Sequence, residues 1–466
     1  MTPRPKVGLL ALTLEFYETL APGLRASREA WVRQAVIPAL QPHSDILFRS
    51  AVFRRDDIER TVAEYEAAGA EALLVLLLTY SPSQLALPAL RRIRLPIVIF
   101  NTQELQAVDD SFTVAAMIDN HGVHGTQDLA NVLVRAGVPF HYVTGHVQAP
   151  ASLVELGDFF AAAAAVRRLQ SVRIGVMGYP FPGMGDFAID TTHLCSTLGC
   201  SWTQLSVEDY IQRSAHAQAS EVKRLVGDYR ESYEVAPDLS LADLECTARA
   251  ELAMRGLVAD HRLEAFTYQF LAFGKDERTS TIPFVAASRL MAEGIGFGGE
   301  GDIVAAAATA FFNWLMPPAS FSEVFTIDFA GGSLFLSHMG EANVAMARRG
   351  RKVPLVIRPT PITRTRDRQL ALVTSFEPGP ATFMALTQGP GSKWRLIAAQ
   401  AKIEDYGPLP GFYVPHFKLT PAGDLGDFLT AYARAGGPHH NAVCFGDARG
   451  RLRLAAAMIG ADYIEL

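Results

Sequence analysis

Residues 72–80 read ALLVLLLTY, an apolar run of the length of a strand. A strand that is apolar at every position is buried on both faces, which is typical of a parallel sheet covered by helices. We therefore predict a parallel α/β sheet, whose ligands gather at the carboxyl ends of its strands. The other predicted strands of this sheet are VGLLALT (7–13), ILFRSAVF (46–53) and LPIVIFNT (95–102), and the predicted helices are 27–40, 56–69 and 82–92.

A second alternation of strands and helices begins near VRIGVMGYP (172–180) and continues through a predicted helix at 241–259, a strand at 264–270 and a helix at 284–293. The stretch 352–464 differs, because short segments such as RLAAAMIG (453–460), interpreted as β-rich, are separated by Gly and Pro. This pattern predicts an antiparallel, barrel-like domain. The expected fold is two Rossmann-like parallel α/β domains, at 1–169 and 170–324, followed by a β-rich domain at 325–466.

The composition excludes several classes of protein. The chain has 466 residues, 49% of them hydrophobic and 19% charged, which indicates a folded globular protein. A net charge of −6 gives no basic surface for nucleic acid. The four cysteines form neither a zinc pattern nor a disulfide framework. The longest apolar stretch, 303–316, is too short to span a bilayer, and the N-terminal run does not resemble a signal peptide, so we expect a cytoplasmic protein without membrane contact.

The segment GMGDFA (183–188) follows a predicted strand and has the spacing G-x-G-x-x-A, with Glu208 about 20 residues further on, as in dinucleotide-binding folds. Pro180 and Pro182 stand where a tight turn should open a helix, which disfavours a nicotinamide site. An NAD(P)-dependent oxidoreductase that uses this segment therefore remains only an alternative.

The segment GIGFGGEGDI (294–303) is the richest candidate for chemistry. It lacks the Lys-Ser/Thr ending of a phosphate-binding P-loop, so we interpret its glycines as room for a ligand to approach the backbone. Asp302 is placed to cap the following helix. Glu300 lies outside the first helical turn, so a favourable interaction with the helix dipole explains only in part why an acidic residue stands there.

A predicted hairpin follows at 322–341, with Gly331-Gly332 as its two-residue turn. This turn places position 325 opposite His338 and makes Glu323 a diagonal neighbour of His338 on the same face. A carboxylate and an imidazole that converge on one face suit a metal ion, although a solvent-facing pair is an equally simple reading. DNHGVHG (119–125) and His439-His440 add paired histidines, which taken alone are as typical of polar turns and surface loops.

Taken together, these segments resemble those of bacterial L-arabinose isomerases. GIGFGGEGD, SFSEVFTIDF followed by SHMGEA, and GGPHHNAV are similar to motifs of that family in the same order along the chain, as are TYSPSQLALPAL, the HG of NHGVHG, and VTGHVQ. The resemblance implies a Mn²⁺ site, with Co²⁺ or Fe²⁺ as possible substitutes, held by Glu300, Glu323, His338 and His440, with His439 as the alternative to His440. It also implies homo-oligomers, trimeric or hexameric, in which His124 reaches the site of a neighbouring subunit.

One segment departs from the family. The family's substrate-binding S-Q-x-L-Y-G corresponds here to LTLEFYE, in which Tyr17 is kept, Leu14 replaces the glutamine and Glu18 replaces the glycine. The loss of an amide and the gain of an acid in a sugar pocket change which sugar hydroxyls can form hydrogen bonds. Each buried polar group left without a partner costs about 1–3 kcal/mol. We therefore predict an altered sugar specificity.

The resulting hypothesis is a metal-dependent aldose–ketose isomerase that acts on a free monosaccharide through a cis-enediol. Glu300 and Glu323 would be both metal ligands and the acid/base pair. Tyr17, His124 and His439 would bind substrate. The alternatives are a sugar 2-epimerase at the same site, the NAD(P)-dependent oxidoreductase, and a non-catalytic sugar-binding protein.

Overall fold

The structure, a computed structural model, describes residues 4–273, 278–359, 365 and 367–466. The chain divides into two compact units, the first ending at Arg167 and the second running from Arg168 to Leu466. No helix in the described ranges combines the length and the apolar character needed to cross a membrane. The division into three sequence domains stays a prediction.

The first unit is a five-stranded parallel sheet flanked by helices, as the apolar strands predicted. Its strand order is β2-β1-β3-β4-β5, and all six residues of β3 are buried. The strand predicted at 46–53 ends in the structure at Leu47. Beyond it, Val52 forms an isolated β-bridge with Leu12. The strands are β1 (Lys6–Leu12), β2 (Asp45–Leu47), β3 (Ala72–Leu77), β4 (Ile97–Asn101) and β5 (His141–Thr144).

The helices of this part of the chain lie between the strands, except α8, which follows β5 and ends two residues beyond Arg167. One helical stretch, 24–40, contains a π-helical turn at Val32–Val36 between α2 and α3. The helices are α1 (Tyr17–Leu20), α2 (Leu24–Trp31), α3 (Ile37–Leu40), α4 (Arg55–Ala67), α5 (Ser83–Leu90), α6 (Val114–Asp119), α7 (Val123–Arg135) and α8 (Pro150–Leu169).

The second unit begins with a four-stranded parallel sheet in the order β10-β9-β6-β7. Its strands are β6 (Arg173–Met177), β7 (Ser201–Leu205), β9 (Ala265–Tyr268) and β10 (Gly296–Gly298), and β8 (Tyr233–Val235) belongs to a small separate sheet. The helices around it are α9 (Thr191–Leu198), α10 (Val207–Ala215), α11 (Ala219–Ser232), α12 (Leu241–Asp260), α13 (Phe270–Phe273), α14 (Phe284–Ala292) and α15 (Ile303–Leu315).

Six antiparallel strands form a closed barrel after α15, which confirms the predicted C-terminal architecture. Strand β19 extends it by pairing in parallel with β16. The barrel strands are β11 (Ala319–Asp328), β12 (Ser333–Ser337), β15 (Gly379–Gln388), β16 (Trp394–Ile403), β17 (His416–Pro421) and β18 (His440–Phe445), and β19 is Asp462–Glu465. Strands β13 (Val353–Ile357) and β14 (Leu370–Leu372) join β8 in the small sheet. Two short 3₁₀ turns lie at Val344–Met346 and Pro390–Ser392.

Two local predictions in the barrel region are wrong. RLAAAMIG is not β-rich but lies at the end of α17 (Arg449–Ile459), which together with α16 (Leu425–Arg434) packs beside the barrel. A short apolar run does not distinguish a strand from a helix, and its alanines favour the helix. The β11–β12 hairpin pairs Asp328 with Ser333, so its loop has four residues and not two.

Helix α15 connects the parallel sheet to the barrel. It is buried along almost its whole length, because its apolar residues contact β9 and β10 on one side and β11, β15 and β18 on the other. Residues 299–302 therefore enter the helix from the sheet, and β11 leaves it into the barrel. This arrangement brings loops of both layers to one place.

Candidate metal centre

Glu300 projects from the loop between β10 and α15. Its backbone has a φ of +58°, a conformation that non-glycine residues rarely adopt and that often marks functional sites. The neighbouring glycines make room for protein atoms and not for a ligand, contrary to our expectation. A Cβ at Gly299 would lie 2.8 Å from Nε2 of His338, and a Cβ at Gly301 would lie 2.4 Å from the carbonyl oxygen of Tyr179.

Glu323 lies on β11 between its two neighbouring strands, opposite Ser337 of β12 and His440 of β18. Directly opposed residues of an antiparallel pair share a face, so Glu323 and His440 point to the same side. The predicted register, with position 325 opposite His338, is wrong, because a bulge at Phe325 and the longer turn shift the pairing. His338 follows the last residue of β12 and still approaches Glu323, since it is outside the strand alternation.

Two groups of side chains have the spacing of metal ligands. Potential ligand atoms of Glu323, His338 and His440 all lie within 4.8 Å of one another, and so do those of Glu300, His439 and His440. All four residues predicted as ligands, with the alternative His439, thus fall into two groups that share His440.

Each of the three histidines contacts a carboxylate through Nδ1. Nδ1 of His338 is 2.6 Å from Glu341, Nδ1 of His439 is 2.6 Å from Asp186, and Nδ1 of His440 is 2.8 Å from Asp302. Such a contact places a proton on Nδ1, and in a histidine that binds a metal Nε2 is then the coordinating nitrogen.

The free nitrogens fit a cation. Nε2 of His439 and Nε2 of His440 are buried without a hydrogen-bond partner, and each lies 3.8 Å from Oε2 of Glu300. Buried polar atoms normally have a partner, so these two indicate a group that binds there. A set of imidazole nitrogens and carboxylate oxygens suits a divalent transition metal.

The carboxylate behind each histidine has a second contact. The other oxygen of Asp302 accepts from the backbone N–H of Ala305, which confirms the predicted helix cap. The other oxygen of Glu341 accepts from the hydroxyl of Tyr268. Glu341 and Asp186 were not predicted as partners of histidines. The spacing of His338 and Glu341 is visible in SHMGEA, whereas Asp186 and His439 are 253 residues apart.

The charges of the centre are mutually dependent. Burial alone would raise the pKa of Glu300, but the neighbouring His439, His338 and His440 outweigh it and lower that pKa. Burial also opposes charge on His338, yet the carboxylates of Glu341, Glu323 and Glu300 raise its pKa. Burial likewise opposes charge on Asp186, and its hydrogen bonds with His439 lower its pKa to about 2. Glu300 and Asp186 are therefore ionised at neutral pH.

Aromatic rings enclose the two buried histidines. Phe321 is edge-on to both, with ring centroids 4.8 Å from His338 and 5.0 Å from His440. Phe187 lies parallel to His440 at 5.4 Å. These contacts restrict the imidazoles to one orientation.

The remaining predicted residues lie in the first unit. The hydroxyl of Tyr17 is 2.6 Å from Nε2 of His121, and the exposed His124 stacks on Tyr80 at 5.0 Å. Tyr17 opens α1 just beyond the carboxyl end of β1, where ligands of parallel sheets bind, and His124 lies in the first turn of α7. Glu18 forms an ion pair with Arg25.

The dinucleotide interpretation of GMGDFA is not supported. Strand β6 ends at Met177 and α9 begins only at Thr191, so the glycines open no helix. Glu208 lies in the first turn of α10 and pairs with Arg278. Within this segment Asp186 instead contacts His439.

Three family models match successive parts of the chain. They are the N-terminal domain of L-arabinose isomerase at residues 27–171, its central domain at 190–316 and its C-terminal domain at 318–462. The chain belongs to the L-arabinose isomerase family. It is a divergent member of this family of sugar isomerases, since the L-arabinose isomerases to which it is similar are 25–29% identical.

The similarity to L-arabinose isomerases extends over most of the chain. The enzyme from Nocardioides sp. is 27% identical over 90% of this chain and 85% of its own length. The enzyme from Acidothermus cellulolyticus is 27% identical over 92% of this chain and 88% of its own length. The enzyme from Mycolicibacterium smegmatis is 29% identical over 83% of this chain and 78% of its own length.

Proposed function

We propose that this chain is a Mn²⁺-dependent aldose–ketose isomerase that acts on a free monosaccharide through a cis-enediol. The observation that carries the proposal is the set of three histidines, each with Nδ1 held by a carboxylate, around Glu300 and Glu323. Glu300, Glu323, His338 and His440 would hold the ion. When bound, the ion would supply Lewis acidity at the carbonyl and hydroxyl oxygens of the sugar.

The two glutamates would move the protons. Interconversion of an aldose and a ketose transfers one proton between adjacent carbons and another between their oxygens. One carboxylate removes the proton from carbon to give the enediol, and the other handles the oxygen proton, which is general acid–base catalysis. The lowered pKa of Glu300 keeps it ionised at neutral pH and thus able to accept a proton.

We further propose that the enzyme is a homo-oligomer, trimeric or hexameric, in which Tyr17 and His124 complete the site of a second copy. Support comes from exposed apolar side chains close to them in the sequence, because burial of apolar surface favours association with a second copy. These side chains are Phe16, Leu20, Val108, Val114, Met117 and Val123. The replacements at Leu14 and Glu18 lie in the same region and support an altered sugar specificity.

The function is tested by incubating the Mn²⁺-loaded protein with pentoses, hexoses, deoxysugars and tetroses and following isomers and epimers by NMR. We expect an aldose–ketose pair for at least one sugar and loss of turnover after EDTA. A product epimeric at C2 would indicate the epimerase instead. No product from any sugar by fully loaded protein would contradict both, and undiminished turnover in EDTA would remove the metal from the mechanism.

Metal binding should also stabilise the fold. A ligand that binds only the native state raises the free energy of unfolding by about 2.7 kcal/mol at 100 times its Kd. We expect Mn²⁺ to shift the denaturant midpoint of the wild type by a corresponding amount, and His440→Gln to lose the shift. His193→Gln is the matched control, since the side chain of His193 contacts Ser392 and Trp394, which lie outside the centre. An equal shift in all three proteins would place the ion elsewhere.

A further inference from the structure

The loop between β6 and α9 contacts several residues of the centre. The backbone N–H of Phe181 donates to the carbonyl oxygen of Glu300 over 2.9 Å. Close packing of Gly301 against Tyr179 fixes the two segments together. At the other end of the loop, Phe187 is buried and parallel to the ring of His440. The loop is therefore held at both ends against residues of the centre.

Asp186 lies within this loop and binds one residue twice. Its Oδ2 accepts from the backbone N–H of His439 over 3.0 Å and lies 2.6 Å from Nδ1 of the same histidine. Two bonds to one residue fix both the position of the main chain and the rotation of the ring. An ordinary surface ion pair between mobile side chains does not do this.

The orientation of His439 needs such a restraint. Adjacent residues of a strand point to opposite faces, yet the rings of His439 and His440 lie on the same side, with centroids 4.1 Å apart. His439 precedes the first residue of β18, so the strand does not determine its direction. The bonds to Asp186 do, and they direct Nε2 towards Glu300.

The two histidines differ in access. The side chain of His440 is fully buried, whereas that of His439 is 31% exposed. The group formed by Glu323, His338 and His440 lies on the inner side, and His439 is at its open edge. The ring of His439 is partly exposed, but its Nε2 is buried without a hydrogen-bond partner, which indicates that a polar group of a ligand binds there. A sugar hydroxyl suits this nitrogen, because a hydroxyl both donates and accepts hydrogen bonds.

We propose that Asp186 is a positioning residue that presents Nε2 of His439 to a hydroxyl of the bound sugar. This inference rests on the proposed function, because it takes the ligand to be a monosaccharide. His439 then binds substrate, and the ion is held without it. Removal of the carboxylate frees the imidazole to rotate and to change tautomer, which weakens sugar binding while the inner ligands stay in place.

The test compares Asp186→Asn with the wild type in two separate measurements. We expect Asp186→Asn to raise KM, and the Kd of the sugar measured by calorimetry on Mn²⁺-loaded protein, about 10–100-fold, which is the range expected for a buried hydrogen bond that is lost. The Kd of Mn²⁺ without sugar, followed by electron paramagnetic resonance, should change less than about twofold, since the ion's ligands are untouched.

Controls separate this role from a structural one. Asp190→Asn removes the same charge from the same loop. Asp190 accepts hydrogen bonds from N–H groups of the first turn of α9, so this change affects only the cap of that helix. It should leave both the Kd of the sugar and the Kd of Mn²⁺ unchanged. Asp186→Glu keeps a carboxylate in reach of Nδ1 and should restore part of the sugar affinity. If Asp186→Glu restored no sugar affinity, the proposal would be overturned. This test holds even if Asp186→Asn does not fold.

Three other results would overturn the proposal. A tenfold weaker binding of Mn²⁺ by Asp186→Asn would make His439 a ligand of the ion. Unchanged sugar affinity would make the Asp186–His439 contact an ordinary ion pair. A wild type that binds no sugar would leave His439 without its partner. A wild type that binds sugar but converts none would instead contradict the proposed function alone, because calorimetry still reports the effect of Asp186.

Discussion

Replacing Glu300 by glutamine is expected to lower kcat by about 10²–10⁴-fold, the range that general acid–base catalysis contributes. Glutamine has nearly the same shape but accepts no proton at neutral pH. The three neighbouring imidazoles lower the pKa of Glu300, so the wild type presents it as a carboxylate. Glu323→Gln should have an effect of the same order, because both steps of the proton transfer depend on a carboxylate.

The measurement is kcat for the best sugar of the panel, together with the Mn²⁺ content of each variant. The double variant is expected to be little worse than either single one, since residues that act as a unit are not additive. Glu404→Gln serves as the control, because Glu404 pairs with Lys402 on the barrel. Full activity of both single variants with Mn²⁺ bound would show that the glutamates do not transfer the proton.

Asp302→Ala should damage both the fold and the centre. Asp302 accepts from the N–H of Ala305 and lies 2.8 Å from Nδ1 of His440, both buried. Loss of the cap costs about 0.5–2 kcal/mol, and a buried donor left without a partner costs about 1–3 kcal/mol. We expect a free energy of unfolding lower by about 2–4 kcal/mol, measured by chemical denaturation, and a Mn²⁺ affinity lower by about 10–100-fold.

Asp302→Ser separates these two effects. Serine is a good cap of a helix but is too short to reach His440. It should recover roughly 1 kcal/mol of the lost stability while Mn²⁺ affinity stays as low as in Asp302→Ala. Equal Mn²⁺ affinity of the serine variant and the wild type would show that Asp302 acts only on the helix.

Buried strands and helix caps were predictable because their signals are local. The apolar run at 72–77 determined its own burial on both faces, and Asp302 directly precedes the helix that it caps. Two of the inferred ligands, Glu323 and His338, were also selected by a hairpin argument, although its register was wrong. The bulge at Phe325 that corrects the register depends on pairing with the rest of the barrel, which a two-residue turn rule does not include.

Contacts between distant residues were not predictable in this way. Asp186 stood in a segment interpreted as a weak nucleotide motif, and only the fold brings it to His439. The stacking of Phe187 on His440 has the same origin. A single sequence records neither pairing, because neither involves periodicity or a fixed spacing. The family resemblance pointed to the candidate ligands but not to the carboxylates that contact their histidines.

The passage of α15 from the parallel sheet to the barrel has a consequence for recombination. Glu300 and Asp302 precede this helix, whereas Glu323, His338 and His440 follow it. A crossover within α15 would therefore take the donors of the centre from two parents, and would pair His440 of one with Asp302 of the other. A chimera joined within α15 keeps the centre only if the residues before the helix in one parent fit those after it in the other. The helix is therefore a poor crossover point, even though it lies between the parallel sheet and the barrel.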